Sequence, residues 1–267
     1  MKIGTKDFSD NRTYVMGILN VTPDSFSDGG RFVTMDKVIE HVEQMVQEGA
    51  DIIDVGGEST RPGYTMISDE EEISRVVPAI EMIKSRMKIP VSIDTYKSAV
   101  AEAAICAGAD MVNDIWGLQH DAKMAQTIKQ YDVAVTITHN KKKAHYDNFE
   151  SDIVNELKFL LDKAISAGID KEKIALDPGV GFAKSLDQNL KTLNMLNDFT
   201  KLGFPVLLGT SRKSVIGNTL GLDVNNRLEG TLATTALAVQ NGVRFVRVHD
   251  IKENVRLIKM LESIREA

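Results

Sequence analysis

The chain has 267 residues, 43% of them hydrophobic and 26% charged, which is ordinary for a globular protein with an ample core. Lys and Arg number 32 against 38 Asp and Glu, so the net charge of -6 offers no general attraction to nucleic acid or to an anionic membrane, and an anionic ligand needs a local cationic cluster. A single cysteine, Cys106, rules out a disulfide framework or a thiolate metal site within the chain and suits a reducing compartment.

Residues 1 to 13 are mostly polar and read as a small hairpin or arm ahead of the first strand. They hold no apolar stretch of signal-peptide length, and no run elsewhere reaches the ~18 apolar residues that span a bilayer. The expected location is cytoplasmic, with no membrane partner.

Tyr14 to Leu19 is a short apolar run that predicts a buried strand, stopping at Asn20 in a loop with a proline, two acids and a Gly pair. Met35 to Glu48 then places Val38, Val42 and Met45 at helical spacing. A second strand, Asp51 to Val55, runs into Gly56-Gly57-Glu58-Ser59-Thr60-Arg61-Pro62-Gly63. The next helix opens at Ser68-Asp69-Glu70-Glu71, a capping-box pattern, and precedes a strand ending at Asp94.

The cycle repeats. A helix from Ser98 to Ala107 precedes a strand stopping at Asn113-Asp114, and a helix from Lys123 to Tyr131 precedes one stopping at His139. A helix from Ile153 to Ala167 leads to Ile174-Ala175-Leu176 and Asp177-Pro178-Gly179. One helix is expected from the capping box Ser185-Leu186-Asp187-Gln188 to Gly203. Val206 to Gly209 then stops at Thr210-Ser211-Arg212-Lys213. A helix from about Arg227, the strand Phe245 to Val248 and a closing helix complete the chain.

Eight strands alternate with helices, and five helices end in a glycine suited to the left-handed conformation that caps a helix and turns the chain into the next strand. Near-continuously apolar parallel strands joined by right-handed crossovers predict a single domain, residues 1–267, folded as a (β/α)8 TIM barrel. An open doubly wound sheet is disfavoured because Asn20-Val21-Thr22-Pro23 cannot replace the glycine-rich phosphate fingerprint.

In such a barrel the strand C-termini share one face. Around it stand Asn20, the Thr60-Arg61 loop, Asp94, Asn113, His139, Asp177, Ser211-Arg212-Lys213, Arg247 and His249. Singly, each has a structural reading: Asp94 as a helix cap, Asn113 or Asp114 as a turn closer, Arg247 as the partner of an acid. Together they exceed what stability requires. Asp94, Asn113 and Asp177 suit a flat heterocycle with N–H donors, because a carboxylate accepts two parallel bonds from a 2-amino lactam. Arg61, Arg247, His249 and Asn20 suit phosphate, and Lys213 could serve either half. His139 and His145 lack a zinc-ligand spacing, and Ser25, Ser59 and Ser211 lack a nucleophile elbow.

Asn20 to Gly30, Asp54 to Gly63, Ser92-Ile93-Asp94-Thr95, Asn113-Asp114, Leu176 to Phe182, Ser211-Arg212-Lys213-Ser214 and Arg247-Val248-His249 together resemble the bacterial dihydropteroate synthases. The resemblance runs from about Tyr14 to the last helix, with Thr138 and Asn140 flanking His139 where that family often has methionines. It implies condensation of 6-hydroxymethyl-7,8-dihydropterin pyrophosphate with p-aminobenzoate, giving 7,8-dihydropteroate and pyrophosphate for folate synthesis, with sulfonamides as competitors.

By the same resemblance Asp94, Asn113, Asp177 and Lys213 bind the pterin with Arg247 beside the ring. Asn20, Arg61, Arg247 and His249 bind pyrophosphate, completed by Mg2+ with Asn20 as its protein ligand. Asp28 and Thr60 belong to two loops over the site. Phe26, Thr60, Pro62, Phe182, Lys213 and Ser214 line the aminobenzoate pocket, and the family suggests a homodimer. The catalytic set is then Asp28, Thr60, Arg61, Asp94, Asp177 and Lys213. A pterin-dependent methyltransferase domain and a non-catalytic pterin-binding paralogue are the competing readings.

Overall fold

The computed structural model describes residues 1–9, 12–22, 31–58 and 66–267, with backbone only for 31–34. The first residues form the expected hairpin, β1 (Lys2–Ile3) antiparallel to β2 (Lys6–Asp7). The barrel strands are β3 (Tyr14–Asn20), β4 (Ile52–Gly56), β5 (Val91–Asp94), β6 (Met111–Asp114), β7 (Ala134–Thr138), β8 (Ile174–Asp177), β9 (Leu207–Leu208) and β10 (Phe245–Val248). Every adjacent pair is parallel, in the order β8-β7-β6-β5-β4-β3-β10-β9. The ring closes where Leu176 N–H donates to Pro205 O at 2.9 Å and Leu176 bridges Val206.

The helices are α1 (Arg31–Glu48), α2 (Asp69–Arg86), α3 (Ser98–Cys106), α4 (Met124–Tyr131), α5 (Phe149–Ser166), α6 (Leu186–Asn194), α7 (Leu196–Thr200), α8 (Ser214–Leu220), α9 (Leu228–Gln240) and α10 (Ile251–Glu266). Hydrophobic faces such as Val38, Val42 and Met45 of α1 and Val76, Ile80 and Ile83 of α2 pack on the outside of the strands. Helix α2 starts as expected, with Ser68 Oγ accepting from Glu71 N–H at 3.2 Å. Gly49 and Gly108 turn the chain after α1 and α3 with φ of 103° and 114°, a region glycine enters without a Cβ penalty.

Helix α1 begins at Arg31, four residues before Met35, and other elements also differ from the periodicity. Helix α5 begins four residues before Ile153, because Asn148 Oδ1 caps Ser151 N–H. The helix after Ser185 breaks at Met195 into α6 and α7, although its capping box forms in full. Helix α8 was not anticipated; its seven residues are too few to show a clear period.

A second hydrophobic cluster fills the lower barrel interior with Tyr14, Met16, Ile52, Met111, Leu207 and Phe245 among others, and Ile3 and Phe8 from the N-terminal segment close it. The Phe8 ring meets Tyr14 edge-on at 4.8 Å and Phe245 at 5.5 Å. This apolar floor leaves the opposite end, at the strand C-termini, as the polar end.

Candidate active site

Strand register brings the first polar residues together. Asn20, Gly56, Asp94 and Asn113 are successive lateral partners across β3, β4, β5 and β6, and Thr138 is the partner of Asp177 across β7 and β8. Asp94, Asn113 and Asp177 are all buried. Because strand side chains alternate, Asp54 lies one inward step below this row. Asp54 is fully buried, accepts from Asn113 Nδ2 at 3.1 Å and pairs with Arg247 Nε at 2.5 Å. Arg247 Nη2 meanwhile reaches Asp94 Oδ2 at 2.5 Å.

The sequence reading groups Arg247 with the phosphate-side cations as well as beside the ring. In the structure its Nε and Nη2 are committed to two carboxylates on the heterocycle side. Asp54 was missed as a site residue, since it sits inside the apolar strand Ile52-Ile53-Asp54-Val55. The available signal was the acid itself, because a carboxylate in a strand buried on both faces needs a partner.

Among the described residues, six buried side-chain atoms have no hydrogen-bonding partner: Asp54 Oδ1, Ser92 Oγ, Asp94 Oδ1, Asn113 Oδ1, Thr136 Oγ1 and Thr138 Oγ1. All belong to β4, β5, β6 and β7. Buried polar atoms are nearly always satisfied, so this concentration on one arc of the barrel marks a surface built for a polar guest. Three of the six belong to the acid and amide residues Asp54, Asp94 and Asn113. Thr138, at a methionine position of the resembled family, adds a hydroxyl to that arc.

Burial governs the charges. Desolvation pushes the Asp94 carboxyl up to about 7, against the pull of Arg247 and with the push of Asp54. Asp177 is raised for the same first reason, while Lys213 lowers it. Desolvation brings the Lys213 ammonium down to about 8, opposed by Asp177. Lys213 Nζ donates to Val180 O at 2.6 Å and stands 4.6 Å from the Phe182 ring centroid. Asp177 Oδ1 accepts from Gly179 N–H at 2.7 Å. Lys213, Phe182 and Asp177 therefore form a second group, continuous with the first through the charges of Asp94 and Arg247. Ser214 is exposed at the start of α8.

At the far side, Ser211 Oγ accepts from His249 N–H at 3.2 Å and lies 3.0 Å from His249 Nδ1, tying the β9 and β10 tips. Asp114 has the turn-closing role, accepting from Trp116 and Leu118 N–H at 2.8 and 2.7 Å. His139 is buried against Glu156 and Lys184, and His145 is exposed. Phe26, Asp28, Thr60, Arg61 and Pro62 lie outside the described residues. The stems of the second loop are tied, however: Ile67 N–H donates to Glu58 Oε2 at 2.9 Å, and Lys97 Nζ binds Glu58 Oε2, Glu72 Oε2 and Ile67 O at 2.8 to 2.9 Å.

A (β/α)8 barrel with an apolar floor and a buried acid, amide and cation rim at its strand C-termini is an enzyme scaffold built to hold a flat polar heterocycle. The sequence profile described as pterin binding enzyme matches residues 16–249. A dihydropteroate synthase of Clostridium beijerinckii is 54% identical over 266 residues, covering 99% of each chain. A Clostridium difficile dihydropteroate synthase solved in the presence of pteroic acid superposes with a TM-score of 0.92 at 52% identity, over 96% of this chain and 98% of that one. A Xanthomonas albilineans dihydropteroate synthase solved with 4-aminobenzoic acid gives 0.92 at 40% identity, over 96% and 94%. The chain belongs to the pterin-binding enzymes and, within them, to the dihydropteroate synthase family.

Proposed function

We propose that this chain condenses 6-hydroxymethyl-7,8-dihydropterin pyrophosphate with p-aminobenzoate, forming 7,8-dihydropteroate and releasing pyrophosphate. The observation that supports it most directly is a pair of buried acceptors with no partner among the described residues, Asp94 Oδ1 and Asn113 Oδ1, on adjacent strands in register. A planar ring with several N–H donors satisfies such a rim, and Asp177 adds a carboxylate on the facing arc. The relatives solved with pteroic acid and with 4-aminobenzoic acid support the two substrate classes.

The aromatic amine is neutral at pH 7 and needs no strong general base; the demanding step is cleavage of the bond between the methylene carbon and the pyrophosphate oxygen. In a dissociative path, Asp94 and Asp177 stabilise positive charge spread over the pterin as that bond lengthens. Phe182 and Lys213 hold the aminobenzoate, with Ser214 and the loop residues Phe26, Thr60 and Pro62 around it. Arg61, His249 and Asn20 receive the leaving pyrophosphate, and Asp28 and Thr60 act from the two loops.

The family resemblance extends to Mg2+. The one protein ligand assigned to it, Asn20, offers a neutral amide oxygen, a hard donor of the kind Mg2+ takes. Gly56 keeps space open beside that oxygen, which lies 3.6 Å from where a Cβ would stand. The residue fits an ion held chiefly by substrate phosphates, and a bound Mg2+ would neutralise charge on the departing pyrophosphate. The exposed apolar side chains Leu186, Leu190, Leu220 and Leu222, on and just beyond α6 and α8, are compatible with a homodimer whose interface lies on the helical shell. Among the described residues no helix is long and apolar enough to cross a membrane, and a Yersinia pestis dihydropteroate synthase solved in complex with a sulfonamide drug supports sulfonamide competition here.

The test is pyrophosphate release with both substrates and Mg2+ present. Release that depends on the pterin ester and yields dihydropteroate is expected; absence of product with an intact, pterin-binding protein would favour a non-catalytic paralogue. Cleavage of the ester without the amine supports the dissociative path, whereas strict dependence on the amine rejects it.

A further inference from the structure

The segment from Gly179 to Ala183, which follows β8 and bears Phe182, is held in an unusual backbone path. Gly179, Gly181 and the non-glycine Ala183 all have positive φ, at 70°, 90° and 44°. A residue such as Ala183 keeps that conformation only where its surroundings over-determine it. Here they do so by side chains from four separate places. Lys213 Nζ takes the Val180 carbonyl at 2.6 Å, Tyr146 OH takes that of Ala183 at 3.0 Å, and Asn189 Oδ1 accepts from Gly181 N–H at 2.6 Å. The fourth, Lys184, takes two carbonyls at once, Gly179 O at 2.9 Å and Phe182 O at 3.1 Å.

Lys184 is itself aimed by a defined chain. Against the cost of burial, hydrogen bonds from His139 and Lys141 hold Glu156 below the usual carboxylate range. Glu156 therefore accepts the imidazole's proton in a hydrogen bond, which leaves His139 Nδ1, 2.9 Å from Lys184 Nζ, as an acceptor. It serves either the ammonium or the amine of a lysine that burial brings down to about 7. The proton of the neutral imidazole then resides on Nε2 and is donated to Glu156 Oε2 at 2.6 Å. Lys141 Nζ holds the other Glu156 oxygen at 2.6 Å. His139 is 1% exposed at the tip of β7, so this chain links a rigid strand end to the Phe182 segment. Lys213 then meets the Phe182 ring from the β9 side.

We infer that Lys184, oriented through His139 and Glu156, is a positioning residue for the aminobenzoate side of the site, holding the 179–183 segment so that Phe182 lies against Lys213. The inference rests on the assignment of Phe182 and Lys213 to aminobenzoate under the proposed function. Lys184 touches no reacting atom; it acts by restricting where Phe182 stands before the second substrate arrives. Replacing it with methionine keeps the chain's length and removes the donors that bridge two carbonyls and the imidazole.

The experiment compares wild type, Lys184→Met and Glu156→Gln by steady-state pyrophosphate release and by amide hydrogen exchange. For Lys184→Met the KM for p-aminobenzoate rises roughly tenfold, the scale of one or two lost hydrogen bonds, while the KM for the pterin ester stays within about twofold. Exchange in residues 179–183 accelerates by a similar order, and the barrel strands keep their protection. Glu156→Gln, at a partly exposed position, moves both readouts the same way by roughly threefold, so the question stays answerable if the lysine variant does not fold. Unchanged KM and unchanged local exchange in either folded variant overturns the inference. So does an equal rise in both KM values, or exchange loosened throughout the barrel, since either means a general structural role. If wild type releases no pyrophosphate, the proposed function has failed, and local exchange alone decides the role of Lys184.

Discussion

Arg247 Nη2 lies 2.5 Å from Asp94 Oδ2, while its Nε lies 2.5 Å from Asp54 Oδ2, so one guanidinium from β10 joins carboxylates on β4 and β5 across the barrel. Asp54 is fully buried, and the Arg247 side chain is 17% exposed. With the other oxygens of the two acids engaged by one cation, Asp54 Oδ1 and Asp94 Oδ1 have no partner among the described residues and suit the N–H donors of a neutral ring. The same bridge ties the last strand to the first half of the barrel.

Removing that cation strands two buried acids. Arg247→Met should destabilise the protein by about 3 to 5 kcal/mol, the usual cost of breaking a buried ion pair from one side. Denaturant unfolding of the variant measures it; a loss under 1 kcal/mol would mean that the acids are solvated or protonated without Arg247.

Asp177→Asn tests the facing arc. One acceptor of the paired bond becomes a donor and meets a ring N–H, so pterin binding should weaken by about 1 to 3 kcal/mol. Calorimetric titration with the bare pterin reads this directly, and unchanged affinity would remove Asp177 from the heterocycle site.

The pH dependence of pterin binding should be a narrow bell. Burial pushes the Asp94 carboxyl up to about 7, so below that pH it is protonated and one carboxylate is lost from the rim. Burial brings Lys213 down to about 8, so above that pH the ammonium is lost. Affinity should peak between these limits once the ligand's own titration is subtracted. Asp94→Asn should abolish the acid limb, and Lys213→Met the alkaline one.

Stability of the free protein responds to Asp94 with the opposite sign. From about pH 4 to about 7 the folded state retains a proton that the unfolded chain has released, so this group makes stability fall as pH rises through that window. The slope should flatten in Asp94→Asn, as urea unfolding at several pH values would show.

Phe8 offers a control remote from the rim. It is fully buried beneath the barrel floor against Tyr14 and Phe245, so Phe8→Ala should cost about 3 to 5 kcal/mol through lost burial and a residual cavity. Both KM values should hold at temperatures where the variant is folded. A selective change in one KM would show that the hairpin end communicates with the rim.

Much of this molecule is written locally along its chain. The alternation of apolar runs with helical periods, the glycines at helix ends and the polar stop after each strand depend only on neighbouring residues, so they placed Asn20, Asp94, Asn113, Asp177, Lys213, Arg247 and His249 at strand tips and predicted the barrel. Three-dimensional closure decided the rest, because it alone sets which tips meet and at what depth. Asp54 reads as one acid in an apolar strand until the ring brings Arg247 to it from 193 residues away. Nothing in the sequence singles out Lys184, one residue ahead of the Ser185 cap, until the β7 tip presents His139 to it across 45 residues. Burial, which turns those meetings into shifted protonation and unsatisfied acceptors, is a property of the packed barrel and of no segment within it.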